Sequence, residues 1–119
     1  MKKNRLDVYK NILSKNCRKL TLTVSGNSMF PLLKNGDKVE IKTYDKLDNI
    51  FINNIIVYKK FDTHLTIHRV KEIIKFGNNH KCYITKGDNN DENDDYVVFE
   101  NEILGILLDK EGDFYENNK

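Results

Sequence analysis

Short stretches rich in β-branched and aromatic residues, separated by turn residues, follow one another along most of the chain. Lys38–Lys42 shows the pattern simply, because Val39 and Ile41 alternate there with charged residues. Polar clusters punctuate the stretches, and Gly77-Asn78-Asn79 is the clearest of these turns. A chain with this pattern is expected to be mainly β. The predicted strands are Leu20–Val24, Lys38–Lys42, Ile55–Lys60, Leu65–Lys75, Lys81–Lys86, Val97–Phe99 and Ile103–Leu108.

The segment before the first strand has a different periodicity. Apolar residues from Leu6 to Leu20 recur at three- and four-residue spacing, which predicts an amphipathic helix with a basic surface. We expect this helix to pack on the domain, and docking on a partner or on an anionic membrane surface is the alternative. The chain therefore divides into an N-terminal helix at residues 1–19, a β domain at residues 20–110 and a C-terminal strand end or tail at residues 111–119. Glu111-Gly112 predicts a hairpin turn at that end.

Bulk properties limit the location and the partners. The chain has 119 residues, the size of one domain, and its formal net charge of +2 argues neither for nor against a nucleic-acid partner. We expect a peptide or protein precursor as the partner and no nucleic acid. Cys17 and Cys82 lack the short spacing of a metal or redox motif and are expected to be thiols in a reducing compartment. We find neither a cleavable signal nor an apolar run long enough to cross a membrane, and we expect a cytoplasmic protein.

The segment Ser25-Gly26-Asn27-Ser28-Met29-Phe30-Pro31, followed by Gly36-Asp37-Lys38-Val39, is the most informative part of the sequence. Gly26 permits a sharp turn at the end of a strand, so the hydroxyl of Ser28 projects where the chain leaves the sheet. Met29 and Phe30 are expected to anchor this turn in the core and to border any substrate groove. A serine nucleophile needs this combination of an exposed hydroxyl, a rigid turn and nearby amide N–H groups. A turn or helix-cap serine is the ordinary alternative.

The string SGNSMFP followed by GDKV resembles the nucleophile box of the signal peptidase I and LexA-like serine protease superfamily. In that superfamily the serine before methionine is the nucleophile, which implies this role for Ser28. The resemblance also implies a coiled β-sheet or a partly open barrel for the β domain. In some members a serine hydroxyl just before the nucleophile helps to bind the oxyanion. Ser25 is displaced from that position by Asn27, so the implied donor is the backbone N–H of Ser28.

A serine hydroxyl needs a partner that removes its proton. The triplet His68-Arg69-Val70 resembles the histidine-type box of the superfamily, and Asn54–Tyr58 resembles the strand that precedes it. Strand alternation places His68 on the face opposite Leu65 and Ile67, so His68 can line a cleft while the other two fill the core. Histidine suits general-base work near neutral pH. A structural or surface histidine is the alternative.

Thr85-Lys86-Gly87-Asp88-Asn89-Asn90 resembles the TKGDNN box of histidine-type signal peptidases, which place a catalytic acid a few residues further on. A gap-free overlay puts this acid at Asp94, with Asp91 and Asp95 as alternatives and Asp88 as a possible supporting acid. The acid would accept a hydrogen bond from the second imidazole nitrogen and fix its tautomer. A solvated loop or a calcium loop is the alternative, but the spacing lacks the calcium-binding pattern. We expect no metal and no cofactor.

The resemblance extends over residues 20–108 and implies a serine endopeptidase that cleaves a peptide or protein precursor, for example to remove a leader in the cytoplasm. Ser28 would attack, His68 would take its proton and Asp94 would hold His68. One alternative is a non-catalytic β module that binds extended peptides. The other is a LexA-like regulator that cuts itself. For that regulator, residues 1–19 are too short to form a DNA-binding domain, and the chain has no alanine for the usual cleavage bond.

Overall fold

The described residues form one antiparallel β-sheet. A computed structural model describes residues 19–45, 48–61 and 64–115. Neighbouring strands pair antiparallel in the order β1-β2-β7-β3-β4-β5-β6. The strands are β1 (Lys19–Thr23), β2 (Lys38–Thr43), β3 (Ile55–Lys59), β4 (Leu65–Phe76), β5 (His80–Lys86), β6 (Val98–Phe99) and β7 (Ile103–Leu108), with a 3-10 turn at Glu100–Glu102. Each predicted strand is present with its ends shifted by at most one residue, so the mainly β prediction is confirmed.

The predicted fold class, an N-terminal helix through residue 19 followed by a coiled β-sheet or partly open barrel, is wrong for the described residues, which form a single seven-stranded antiparallel sheet that begins at Lys19. Lys19 was placed at the end of the helix but begins β1 and pairs with Lys42, because Leu20 and Leu22 alternate toward the core from this point. In the described ranges the only helical element is the three-residue 3-10 turn, and no helix there is long and apolar enough to cross a membrane. β1 and β6 end the single sheet and do not pair with each other. Residues 1–18, where the rest of the helix was predicted, lie outside the described residues.

Both faces of the sheet are covered by apolar side chains. The central strands β3 and β7 are buried along almost their whole length, as expected for the apolar runs IIVY and ILGILL. Ile55 and Val57 contribute to the cluster on one face, whereas Ile56 and Tyr58 contribute to the cluster on the other. β4 pairs with β3 in a register that sets His68 opposite Ile56. The side chain of His68 therefore rises from the Tyr58 face of the sheet.

The chain turns back after β7, where the hairpin turn at Glu111-Gly112 was predicted. The N–H of Gly112 donates to the carbonyl of Asp109 at 3.0 Å. A single bridge pairs Leu108 with Phe114 beyond this turn. The turn prediction is confirmed.

Candidate active site

Ser28 lies on a closed loop between β1 and β2. The N–H of Val24 donates to the carbonyl of Asp37 at 2.8 Å, and the N–H of Gly36 donates to the carbonyl of Val24 at 2.8 Å. These bonds close the base of the loop. Gly26 adopts a φ of 87°, which only glycine reaches without strain, and this bend directs the chain away from β1. The hydroxyl of Ser28 is thus presented on a rigid, partly exposed turn.

Met29 and Phe30 were both predicted to anchor this turn, but only Met29 is buried. Met29 is 2% exposed, belongs to the core cluster and lines the cavity beside Ser28. Phe30 is 44% exposed and does not line that cavity. The prediction that Phe30 anchors the core is therefore wrong.

His68 meets Ser28 from β4. Its Nε2 lies 3.1 Å from the Oγ of Ser28, which is hydrogen-bonding distance. The imidazole is largely buried, with 7% of the residue exposed. Its position follows from strand alternation, because Val70 on the same face enters the core cluster with Tyr58. The structure thus brings together the predicted nucleophile and the predicted base.

Asp94 completes a chain of three groups. Its Oδ2 lies 2.6 Å from the Nδ1 of His68, and its own N–H donates to the carbonyl of Thr85 at 2.8 Å, which ties the loop to the end of β5. A carboxylate can only accept hydrogen bonds, so Nδ1 carries the imidazole proton. Nε2 is then an acceptor for the hydroxyl proton of Ser28. This is the tautomer that a general base requires.

The other candidate acids lie elsewhere. Asp88 accepts two hydrogen bonds from the guanidinium of Arg69, at 2.9 and 2.8 Å, and its N–H donates to the sulfur of Met29. Asp91 and Asp95 are exposed, and the structure gives neither of them a hydrogen bond to His68. Of the four acidic residues considered from the sequence, Asp94 alone is in contact with the imidazole among the described residues.

Three buried or half-buried hydroxyls surround the Asp94 carboxylate. The hydroxyl of Thr85 donates to Oδ2 of Asp94 at 2.7 Å, and the phenol of Tyr58 donates to the same atom at 3.3 Å. The phenols of Tyr58 and Tyr96 lie 2.8 Å apart. Burial raises the pKa of Tyr58 well above its ordinary value, although its hydrogen bond with Thr85 acts in the opposite direction. Tyr58 is therefore a neutral donor at any physiological pH.

The loop after β5 packs directly on the Ser28 turn. The N–H of Asn89 donates to the carbonyl of Ser28 at 2.8 Å, and its side-chain amide donates to the carbonyl of Asn27 at 3.1 Å. A Cβ on Gly87 would lie 2.7 Å from the carbonyl oxygen of Ser28 and 3.0 Å from Nε2 of His68. Only glycine permits the backbone to come this close to the two groups.

Ser28 and His68 lie in the wall of an open cavity of about 370 Å³. Two strand edges border it within the described residues. Leu20–Thr23 of β1 pair with β2 alone, and Leu65–His68 pair with β3 alone, because β5 ends opposite Arg69. The backbone N–H of Ser28 donates to no other described residue. The lining residues are Leu22, Thr23, Val24, Ser25, Gly26, Ser28, Met29, His64, Leu65, Thr66, Ile67, His68, Asn90 and Tyr96.

Several of these contacts were not assigned from the sequence. Thr85 is the first residue of the TKGDNN string, which predicts the acidic loop but assigns no role to the hydroxyl of Thr85. Tyr58 could be linked to His68 only through the register between β3 and β4. Tyr96 carries no local signal. In each case a tertiary contact decides the role, and a single sequence does not display such contacts.

The rest of the described chain adds no metal centre. No group of three or more His, Cys, Asp or Glu side chains in those ranges is arranged to hold a metal ion. Cys82 is a buried free thiol, whereas Cys17 lies outside the described residues. No protein-family model and no curated protein matches this chain. The geometry of the site therefore carries the functional argument.

Proposed function

We propose that this chain is a serine endopeptidase of the signal peptidase type that cleaves an extended segment of a peptide or protein precursor. The observation that carries the proposal is the unbroken contact from Ser28 Oγ to His68 Nε2 and from His68 Nδ1 to Asp94. These groups come from three separate parts of the sequence, and they meet at the wall of an open cavity. A nucleophile, a base and an orienting acid in this order are the requirements of acyl transfer.

The reaction follows from the position of the proton. Ser28 Oγ forms a bond to the scissile carbonyl carbon while its proton passes to His68 Nε2. The N–H of Ser28, which donates to no other residue that the structure describes, can bind the resulting oxyanion. Collapse breaks the C–N bond, and His68 returns the proton to the leaving amine. Water then attacks the acyl-enzyme with His68 again acting as the base, which releases the acid product and restores Ser28.

The borders of the cavity suit an extended peptide. Among the described residues, no further strand pairs with the outer edge of Leu20–Thr23 or with that of Leu65–His68, so the two edges can offer backbone N–H and C=O groups on two sides. An extended chain can add to such edges by main-chain hydrogen bonds. Apolar side chains of Leu22, Met29 and Ile67 line the same cavity and would receive alternate side chains of the substrate. We therefore propose an unfolded segment, such as a leader, as the substrate.

A peptide library tests the proposal without knowledge of the natural substrate. The protein is incubated with a mixture of proteome-derived peptides, and new termini are identified by mass spectrometry. We expect cleavage by the wild type, loss of every cleavage in Ser28→Ala, and adduct formation by a fluorophosphonate on Ser28. Cleavage of the same bonds by Ser28→Ala would overturn the mechanism. Retention of peptides without any cleavage or adduct would instead identify a peptide-binding module.

A further inference from the structure

The strongest unexplained feature is a line of hydroxyl groups that runs from the cavity wall to the catalytic acid. Tyr96 lines the cavity, its phenol lies 2.8 Å from that of Tyr58, and the phenol of Tyr58 lies 3.1 Å from the hydroxyl of Thr85. Thr85 donates to Asp94 at 2.7 Å. We call Tyr96, Tyr58 and Thr85 the hydroxyl chain. Tyr58 and Thr85 are fully buried, so their polar atoms cannot exchange these partners for bulk water.

Counting protons gives the hydroxyl chain a direction. The carboxylate of Asp94 only accepts, so Thr85 uses its single proton on Asp94. Tyr58 uses its single proton on Oδ2 of Asp94 at 3.3 Å, and its oxygen is left to accept from Tyr96 at 2.8 Å. Every proton in the line thus points toward the oxygen that also accepts from His68. Hydrogen bonds in series polarise one another, which strengthens the innermost one.

We propose that the hydroxyl chain holds the Asp94 carboxylate in place, so that Tyr58 and Thr85 are positioning residues for His68. This inference rests on the proposed function. Oδ2 of Asp94 accepts from His68, Thr85 and Tyr58 at once, and these bonds leave the carboxylate little freedom to rotate away from the imidazole. Tyr58 also contacts His68 directly, with its phenol oxygen 3.4 Å from Nδ1 and the two rings packed edge to face. The outer end, Tyr96, is exposed to whatever occupies the cavity.

Matched substitutions separate this role from simple packing. Tyr58→Phe keeps the ring against His68 and removes only the hydroxyl. Tyr83→Phe is the control, because Tyr83 is equally buried in the same core cluster but contacts neither His68 nor Asp94. We expect kcat on the best-cleaved library peptide to fall about tenfold in Tyr58→Phe with KM unchanged, and to stay at the wild-type level in Tyr83→Phe. Tyr96→Phe removes only the outermost donor and is expected to have a smaller effect.

A spectroscopic readout follows His68 without any substrate. The Nδ1 proton is expected to give a low-field proton resonance, assigned by its loss in His68→Gln. Tyr58→Phe should shift or broaden this resonance, while Tyr83→Phe should leave it in place. The second pair of variants changes Thr85. Thr85→Ser keeps the hydroxyl donor and should retain both the resonance and the wild-type kcat, whereas Thr85→Val removes the donor and should lose both.

Each outcome decides the proposal. If Tyr58→Phe matches Tyr83→Phe in kcat and in the resonance, the hydroxyl chain has no positioning role. If Tyr58→Phe does not fold, the Thr85 pair decides, and equal behaviour of Thr85→Ser and Thr85→Val overturns the proposal. If Ser28→Ala still cleaves, the proposed function fails, whereas the resonance still reports whether the hydroxyl chain orders His68. The two failures are therefore distinguishable.

Discussion

Oδ2 of Asp94 lies 2.6 Å from Nδ1 of His68, although 26 positions separate the two residues in the sequence. The contact depends on Thr85, whose carbonyl accepts from the N–H of Asp94 at the end of β5. β5 and β4 are neighbours in the sheet, so pairing of Val70 with Thr85 brings the acid loop to His68. The position of the acid is thus a consequence of strand register and not of proximity along the chain.

Asp94→Asn is predicted to lower kcat by about 10⁴-fold, because an amide can donate to Nδ1 and favour the wrong imidazole tautomer. The measurement is the cleavage rate of a library peptide. Asp95→Asn and Asp91→Asn are the controls, because both residues are exposed and have no contact with His68. A comparable loss in either control would move the acid role away from Asp94.

Ser28→Ala is predicted to lower cleavage by at least about 10³-fold while stability stays within about 0.5 kcal/mol of the wild type. The hydroxyl is only partly buried and contacts His68, so its loss leaves no cavity in the core. Ser25→Ala is the matched control, because Ser25 lines the same cavity without a contact to His68. The assay is peptide cleavage together with thermal unfolding. Equal losses in the two variants would remove the case for Ser28 as the nucleophile.

Gly87→Ala is predicted to lower both activity and stability, the latter by about 1–3 kcal/mol. The added Cβ would approach the carbonyl of Ser28 to 2.7 Å and Nε2 of His68 to 3.0 Å, so the loop must move away from both. Urea unfolding and peptide cleavage measure the two effects. Wild-type values for Gly87→Ala would show that the loop does not pack as closely as described.

Asp88→Asn is predicted to affect stability more than chemistry. Asp88 forms a two-point ion pair with the half-buried Arg69, and Arg69 also donates to the carbonyl of Asn53. Loss of the charge should destabilise the fold by about 1 kcal/mol and leave kcat within about threefold. Chemical denaturation and cleavage kinetics are compared with those of Asp94→Asn. If Asp88→Asn abolished cleavage with unchanged stability, Asp88 would have a direct role in the reaction.

Stability is predicted to fall above about pH 10. Burial raises the pKa of Tyr58 above its ordinary value, and burial, with the charge of Glu100, raises the pKa of Tyr83 to about 12. The folded state therefore keeps protons that the unfolded state releases above about pH 10. The free energy of unfolding should be constant from about pH 7 to pH 9 and then fall with a slope of up to about 1.4 kcal/mol per pH unit for each such tyrosine.

Urea unfolding followed by far-ultraviolet circular dichroism measures this dependence. Tyr83→Phe should reduce the alkaline slope, because it removes one group whose proton uptake differs between the two states. A free energy that stays constant up to about pH 11 would contradict the burial of these phenols.

The strands were largely predictable because their signal is local. The alternation in Lys38–Thr43 predicts a strand with one buried face, and the apolar run of Ile103–Leu108 predicts a fully buried strand. Neither pattern depends on which strand is the neighbour in the sheet. The error at Lys19 has the same origin. Leu20 fits both the helical spacing before it and the strand spacing after it, and pairing with β2, which the sequence does not display, decides in favour of the strand.

The site was predictable only where a motif marks it. Ser28, His68 and Asp94 each stand in or near a recognisable string. Tyr58 stands in the string Asn54–Tyr58, but nothing in that string predicts its bond to Asp94, and Tyr96, which bonds to Tyr58, stands in no recognised string. Phe30 shows the opposite limit. Its size favours burial, but it is 44% exposed on the turn.

The segment Asn89–Asp94 is hydrogen-bonded to both Ser28 and His68. The N–H of Asn89 donates to the carbonyl of Ser28, and five residues later the carboxylate of Asp94 accepts from the imidazole of His68. Local unfolding of this segment would break the hydrogen bonds to Ser28 and to His68 together. Activity should then vanish in one step at a temperature or denaturant level where the sheet itself is still intact.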